Sequence, residues 1–282
     1  MDIETIRTLR NGVRIPSIGF GTYKAPDDST GINAIREAIN AGYRLIDTAT
    51  LYGNEQALGK AVKESGIPRE DLFLTTKVAN SDRGYDSTLR AFDTSLQILD
   101  TDYIDLYLIH WPASKAKTPD WATINSETWR AMERLLEEKI VRAIGVSNFM
   151  PEHLEALTKT SHVMPMVNQI EFHPGWIQPK TLSWCNANDV IVEAWSPLGR
   201  TRLFDNHLLK KLSEKYDKSV AQICLRWELQ KGVIPIPKSL RPERMSENID
   251  VFDFSLSDED MLLIDRMTPT GESGLSPDNI NF

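Results

Sequence analysis

The sequence predicts a closed (β/α)8 TIM barrel of the α/β class, on three observations. From about residue 18 onward, short β-prone runs alternate with amphipathic helical stretches, the pattern of repeated βα units around a parallel sheet. Eight such runs, with seven or more helical segments between them, close more naturally into a barrel than into an open sheet. Residues able to carry proton chemistry stand at or just after the ends of successive runs, where a parallel barrel builds its active site.

The β-prone runs lie at residues 19–22, 45–47, 72–77, 104–110, 143–147, 167–171, 190–194 and 233–236. Helix-like segments occupy 31–41, 55–65, 87–99, 126–138, 151–159, 179–188 and 220–231. Several announce their ends: Asp86-Ser87 opens one, Gly66-Ile67-Pro68 closes another, and Pro151 suits a first helical turn. Ahead of the barrel, Leu9-Arg10-Asn11-Gly12-Val13-Arg14-Ile15 reads as an N-terminal β-hairpin. Asn11-Gly12 suits a two-residue type I′ turn, and the hairpin would cap the bottom of the barrel. The tail at 268–282, with two Pro and two Gly, is expected to be irregular and to help close the pocket near the active site. No low-complexity linker divides the chain, and 282 residues suit one barrel domain spanning 1–282. The first run, Gly19-Phe20-Gly21-Thr22-Tyr23, lacks the third glycine of G-x-G-x-x-G, which argues against a dinucleotide-binding Rossmann domain.

Composition narrows the function classes. Hydrophobic content of 41% and charged content of 26% are ordinary for a soluble globular protein, and no apolar stretch approaches the length of a membrane helix. A net charge of −8 argues against a nucleic-acid binder, yet leaves room for a local cationic pocket. Met1-Asp2-Ile3-Glu4-Thr5-Ile6-Arg7 shows neither a basic leader nor a long apolar segment, so a cytoplasmic location is expected. Cys185 and Cys224 are read as buried free thiols. His153, His162, His173 and His207 show no H-x-H or H-x-x-x-H spacing, so no metal site is expected.

Asp47 closes the second run, Lys77 the third and His110 the fourth, while Tyr52 follows Asp47 on the loop leaving the same strand. A phenol is a weak acid near neutrality; a neighbouring ammonium lowers its pKa, and Lys77 would supply that charge. A buried lysine keeps its proton when paired, and Asp47 is the available carboxylate. His110 could donate from a ring nitrogen to a carbonyl oxygen and hold it beside Tyr52. This constellation suits carbonyl reduction. It lacks only a hydride, which no side chain provides, so a nicotinamide cofactor is implied. Glu171 and Glu193 end two further runs and could form a glycosidase pair, a weaker reading because it leaves Tyr52, Lys77 and Lys238 without a role.

Gly42-Tyr43-Arg44-Leu45-Ile46-Asp47-Thr48-Ala49 leading to Tyr52-Gly53-Asn54-Glu55, then Thr76-Lys77, Asp105-Leu106-Tyr107-Leu108-Ile109-His110-Trp111-Pro112 and Gly145-Val146-Ser147-Asn148-Phe149, resemble the aldo-keto reductase family over essentially the whole chain. The nearest flavour is that of its bacterial glyoxal/methylglyoxal and 2,5-diketo-gluconate reductases. The resemblance implies Tyr52 as general acid, Lys77 and Asp47 as its tuning pair, and His110 as carbonyl orienter. It implies NADPH as cofactor, with Ser147, Asn148 and Gln169 holding the carboxamide and Trp195 stacking on the nicotinamide. Ser196, Pro197 and Leu198 follow Trp195, and Gly21, Thr22 and Asp47 complete that wall. Lys238 and Ser239 would meet the 2′-phosphate, Arg244 the adenine or the phosphate, and Glu247 and Asn248 the adenine edge. Tyr23, Tyr52, His110 and Trp111 would line the substrate pocket, together with the loop at 113–125 and the tail. A small-molecule carbonyl substrate, an aldehyde, ketone, dicarbonyl or keto-sugar, is expected, and a monomer. The same family leaves open a different reading, an NADP(H)-sensing regulatory subunit with slow turnover.

Overall fold

The computed structural model describes residues 5–281; residues 1–4, part of the stretch read for a leader, and Phe282 at the end of the tail lie outside that range. The chain opens with strands β1 (Ile6–Thr8) and β2 (Arg14–Pro16), paired antiparallel. The barrel strands are β3 (Gly19–Gly21), β4 (Leu45–Asp47), β5 (Phe73–Val78), β6 (Ile104–Ile109), β7 (Val141–Ser147), β8 (Val167–Glu171), β9 (Ile191–Trp195) and β10 (Ile234–Pro235). They lie parallel and in sequence order. The helices are α1 (Ser29–Asn40), α2 (Glu55–Glu64), α3 (Tyr85–Leu99), α4 (Trp121–Glu137), α5 (Pro151–Thr158), α6 (Pro179–Ala187), α7 (His207–Tyr216), α8 (Val220–Gln230), α9 (Pro242–Ile249) and α10 (Asp258–Asp265). The amide of Gly21 donates to the carbonyl of Pro237 at 2.9 Å and draws the first and last barrel strands together. A side chain at position 21 would sit 3.3 Å from Ile236 Cγ2, so glycine permits that approach.

Alternation along the strands sorts side chains between two apolar layers. Leu106 and Leu108 of β6 join Leu45, Phe73, Ala143, Val167 and Ile234 inside the barrel, whereas Tyr107 and Ile109 pack toward the helices. Leu9 and Ile15 of the hairpin belong to the inner group, which makes the hairpin a plug at the amino-terminal end of the strands. The expected cap is present, but its turn differs. Leu9 N–H donates to Val13 O and Gly12 N–H to Leu9 O, both at 2.8 Å, and Gly12 takes a left-handed conformation (φ 87) while Asn11 does not. This is a four-residue turn closed by a glycine bulge rather than a type I′ turn. A three-residue loop takes this turn, with only Gly12 left-handed, and the Asn11 side chain donates to Arg142 O at 2.9 Å and accepts from Val13 N–H at 3.2 Å.

All eight barrel strands fall within a residue or two of the predicted runs. Helices differ more. α3 begins at Tyr85 with Gly84 as cap, ahead of Asp86-Ser87, and α4 begins at Trp121 rather than at 126. Besides α9, neither α7 nor α10 was among the segments expected from the sequence. Both are capped by side chains, Asn206 accepting from Leu209 N–H and Ser257 from Asp260 N–H. Among the described residues no helix is long and apolar enough to cross a membrane, and no His/Cys/Asp/Glu group could hold a metal ion. Cys185 and Cys224 are buried free thiols.

Candidate active site

The carboxyl ends of β4, β5 and β6 bring Asp47, Lys77 and His110 to one rim, as register alone requires: Asp47 pairs with Thr75, and Lys77 with Leu108. Tyr52 reaches the same point from a turn of 3-10 helix at Thr50–Tyr52, between β4 and α2. That turn is pinned from below. Thr50 Oγ1 donates to the carbonyl of Lys77 at 3.1 Å, and Asn54 accepts from Thr48 Oγ1 at 2.9 Å while donating to the carbonyls of Thr22 and Ala25.

Lys77 is fully buried. Its Nζ lies 2.7 Å from both Asp47 carboxylate oxygens, 2.9 Å from Thr48 O and 3.4 Å from the Tyr52 hydroxyl. Burial alone would strip the lysine of its proton; Asp47, with Tyr52 and Glu193, outweighs it and holds the ammonium above its ordinary value. An ammonium has no lone pair, so the Tyr52 oxygen accepts from Lys77 and its own hydrogen must point elsewhere. The Tyr52 phenol nevertheless sits above its usual range. Burial raises it, Lys77 pulls it down and Asp47 pushes it up again. The lowering expected from Lys77 is present but smaller than the cost of desolvating a phenolate, so Tyr52 carries its proton at neutral pH.

His110 is held well below its ordinary value, first by burial and then by the Lys77 charge, so its imidazole is neutral. Its Nδ1 is buried without a partner. An orphan lone pair is easier to bury than an orphan N–H, which places the hydrogen on Nε2 by argument from the network. His110 can therefore donate a hydrogen bond but is no imidazolium acid. Its ring packs 5.5 Å from that of Tyr52, and Tyr23 packs 5.0 Å from Tyr52 on the other side.

Strands β7 to β9 continue the rim. Ser147 is paired with Gln169 in the sheet, and Ser147 Oγ donates to Gln169 O at 2.9 Å. Asn148, left-handed at φ 63, donates from Nδ2 to His110 O and Ser147 Oγ, both at 3.0 Å. Its Oδ1 accepts from Trp195 Nε1 at 2.7 Å, which orients the indole. Gln169 Nε2 donates to Asp47 Oδ2 and Glu193 Oε2, each at 2.8 Å. Ser196 is left-handed (φ 52) and starts the loop through Pro197 and Leu198, while Gly21 and Thr22 leave β3 beside Asp47.

Beyond β10, Lys238 is half-buried and Ser239 buried, with Ser239 Oγ accepting from Arg241 N–H at 3.0 Å. On α9, Arg244 is exposed, Glu247 intermediate and Asn248 buried. Burial, then the positive charge of Lys24, lowers the Lys238 ammonium. Lys24 thus brings a second positive charge toward Lys238. The sequence reading missed Lys24, whose only signal was a cation just past the first barrel strand; it weighed Glu193 only as half of a glycosidase pair. The other half, Glu171, is occupied elsewhere. It accepts from Ser273 N–H at 2.8 Å and from Ser273 Oγ at 2.7 Å, and so ties the tail to the end of β8.

Trp111, Asn148, Trp195 and the tail residues Leu275 and Pro277 line a cavity of about 190 Å³ whose lining does not include Tyr52 or His110. Glu152, Glu171 and Asp278 also border it.

The Aldo/keto reductase family model matches residues 17–268, nearly the whole barrel. The chain belongs to the aldo/keto reductase family. Among other members, glyoxal reductase of Bacillus subtilis is 48% identical over 279 residues, covering 99% of this chain and 98% of its own. The crystal structure of an aldo/keto reductase from Brucella melitensis superposes with a TM-score of 0.87 at 50% identity, covering 93% of this chain and 98% of the other. An aldo-keto reductase of Bombyx mori in complex with NADP superposes with a TM-score of 0.84 at 36% identity, covering 92% and 91%. For an aldo/keto reductase, the eight parallel strands and the rim they carry are the shared scaffold; the acidic border of the cavity and the Glu171 latch are read from this chain's own residues.

Proposed function

We propose that this chain is an NADPH-dependent reductase of small aldehydes and ketones, with uncharged dicarbonyls such as methylglyoxal or glyoxal as its preferred class. The observation that carries the reading is the Lys77 ammonium held by Asp47 against a protonated Tyr52 whose hydrogen points away from Lys77. Glyoxal reduction by a close relative and NADP in a structural neighbour support the substrate class and the cofactor.

Residues suited to the cofactor lie in two groups. Gln169, Ser147 and Asn148 would hold a carboxamide, with Trp195 against the ring and Gly21, Thr22, Asp47, Ser196, Pro197 and Leu198 closing that wall. Lys238, Ser239 and Lys24 would take the 2′-phosphate, with Arg244, Glu247 and Asn248 toward the adenine; the positive charge of Lys24 felt at Lys238 supports an anion there. When bound, the cofactor supplies the hydride. Tyr52 donates its proton to the carbonyl oxygen, and the phenolate left behind is stabilised by Lys77. Lys77 stays charged because Asp47 pairs with it, and His110 Nε2 donates to the same oxygen and holds it in place. In the oxidative direction the same groups act in reverse.

Tyr23 and Trp111 would bound the substrate. A cavity of about 190 Å³ shares Trp111 with this site, and a substrate approaching through it would pass Glu152, Glu171 and Asp278, which would oppose a carboxylate and favour neutral dicarbonyls over keto-sugar acids. The test is decay of NADPH absorbance with methylglyoxal beside a keto-gluconate. Many turnovers, faster on methylglyoxal, are expected. A single turnover with retained cofactor would instead favour an NADP(H)-sensing subunit, and faster turnover of the keto-gluconate would overturn the substrate class.

A further inference from the structure

Glu193, near the carboxyl end of β9, is fully buried beside the proton-donating group, and beyond its small share in holding the Lys77 ammonium it has no part in the chemistry described above. Its Oε2 accepts from Gln169 Nε2 at 2.8 Å, and the same nitrogen donates to Asp47 Oδ2 at 2.8 Å. An amide nitrogen has two hydrogens, and both are spent; the carbonyl oxygen Oε1 is the end of the side chain left to serve a ligand.

We propose that Glu193 is a positioning residue: acting through Gln169, it fixes which end of that amide faces the site, so that Gln169 offers an acceptor to the primary carboxamide of the cofactor. The proposal rests on the reading of this rim as a nicotinamide site. The two ends of a glutamine amide are nearly equal in size, and their partners alone decide which way it points. Turned over, Gln169 would set its oxygen against Asp47 Oδ2, acceptor against acceptor, and against Glu193 Oε2, which opposes it as long as the Glu193 proton sits on Oε1. Asp47 already serves Lys77 through both oxygens, whereas Glu193 Oε2 has Gln169 as its partner. Glu193 is thus the acceptor dedicated to this task.

The charge state of Glu193 agrees with that role. Burial, then the Asp47 carboxylate across the barrel, pushes its carboxyl up to about 8, against the hydrogen bond from Gln169 and the charge of Lys77. At neutral pH Glu193 is mostly protonated. Its Oε1 is buried without a partner and can carry the proton, while Oε2 remains an acceptor. The lock then adds no second negative charge to a group that already holds Asp47 and Lys77. A glutamine at 193 would reproduce this neutral acceptor, and a methionine of similar length would remove it.

The experiment measures dissociation constants by tryptophan fluorescence for two ligands, NADPH and its 3-acetylpyridine analogue, in which a methyl group replaces the amide nitrogen. Wild type should bind NADPH the more tightly, since the analogue has no hydrogen to give Gln169. Glu193→Met should lower that preference by about three- to tenfold, the worth of one hydrogen bond, while Glu193→Gln should keep it within about twofold. An unchanged preference in folded Glu193→Met, or its loss in Glu193→Gln as well, would overturn the proposal. Equal binding of the two ligands by wild type would overturn it without any variant, while leaving the nicotinamide reading in place. Failure of wild type to bind either would remove that reading itself.

Discussion

Replacing Lys77 by methionine separates what the buried ion pair does for the fold from what it does for the reaction. Lys77 is fully buried, and its Nζ meets Asp47 at 2.7 Å through both oxygens. Removing the cation leaves Asp47 with Gln169 Nε2 as its remaining side-chain donor, at 2.8 Å. Breaking such a pair from one side costs about 3–5 kcal/mol, because a buried charge loses its counter-ion. At roughly 2–4 °C per kcal/mol for a chain of this size class, Lys77→Met should melt about 6–20 °C below wild type. Turnover should fall by about 10²–10⁴, since the phenolate of Tyr52 loses the cation beside it. Adding Asp47→Asn removes the stranded charge, so the double variant should regain most of the lost stability while its kcat stays low. Thermal melts by circular dichroism and steady-state kinetics read the two effects separately. The reasoning fails if Lys77→Met melts with wild type, or if the double variant recovers activity together with stability.

Three further outcomes follow from other sites. Glu228 on α8 is fully buried with neither carboxyl oxygen partnered, and burial holds it well above its ordinary value. A carboxyl raised in the folded state contributes most below its unfolded pKa and loses that contribution as pH rises through the folded one, at up to about 1.4 kcal/mol per pH unit. Glu228→Met should therefore melt above wild type by a margin that widens from pH 5 to pH 8; a constant margin would contradict this. Lys238→Gly combined with Arg244→His should lower the preference for NADPH over NADH by at least about tenfold, the loss of roughly one charged contact, whereas an unchanged ratio of dissociation constants would remove Lys238 from the phosphate site. Glu171→Gln weakens the latch to Ser273, so the tail should be cut faster in limited proteolysis and KM for the carbonyl should rise with NADPH affinity unchanged. Equal cleavage rates would show that the tail is held from elsewhere.

Much of the site was legible because strand ends are legible. Once Asp47, Lys77 and His110 close three successive parallel runs, register alone brings them together, whatever the helices do. What stayed hidden depended on burial and on hydrogen-bond direction, neither of which sequence spacing carries. The sign of the Tyr52 shift turned on desolvation outweighing Lys77. Which proton state His110 holds, a question the sequence left open, depends on burial that keeps its ring neutral. Glu193 looked like a strand-end carboxylate, and only the fold revealed that it shares a nitrogen of Gln169 with Asp47. Among the secondary elements, α7 was readable from Leu208, Leu209, Leu212 and Tyr216 behind a capping Asn206, but a helix followed so closely by α8 breaks the simple βα alternation. The hairpin turn departed from expectation because the loop is one residue longer than the two-residue turn that Asn11-Gly12 suggested.

The central claim, that Tyr52 is the proton donor of a carbonyl reductase, is tested most directly by Tyr52→Phe. Only the hydroxyl is removed; the ring contacts to Tyr23 and His110 and the Lys77–Asp47 pair remain. Turnover of methylglyoxal should drop by at least about 10², the usual contribution of a general acid, while the dissociation constant for NADPH stays within about twofold. Substantial turnover in a variant that still binds NADPH would contradict the assignment.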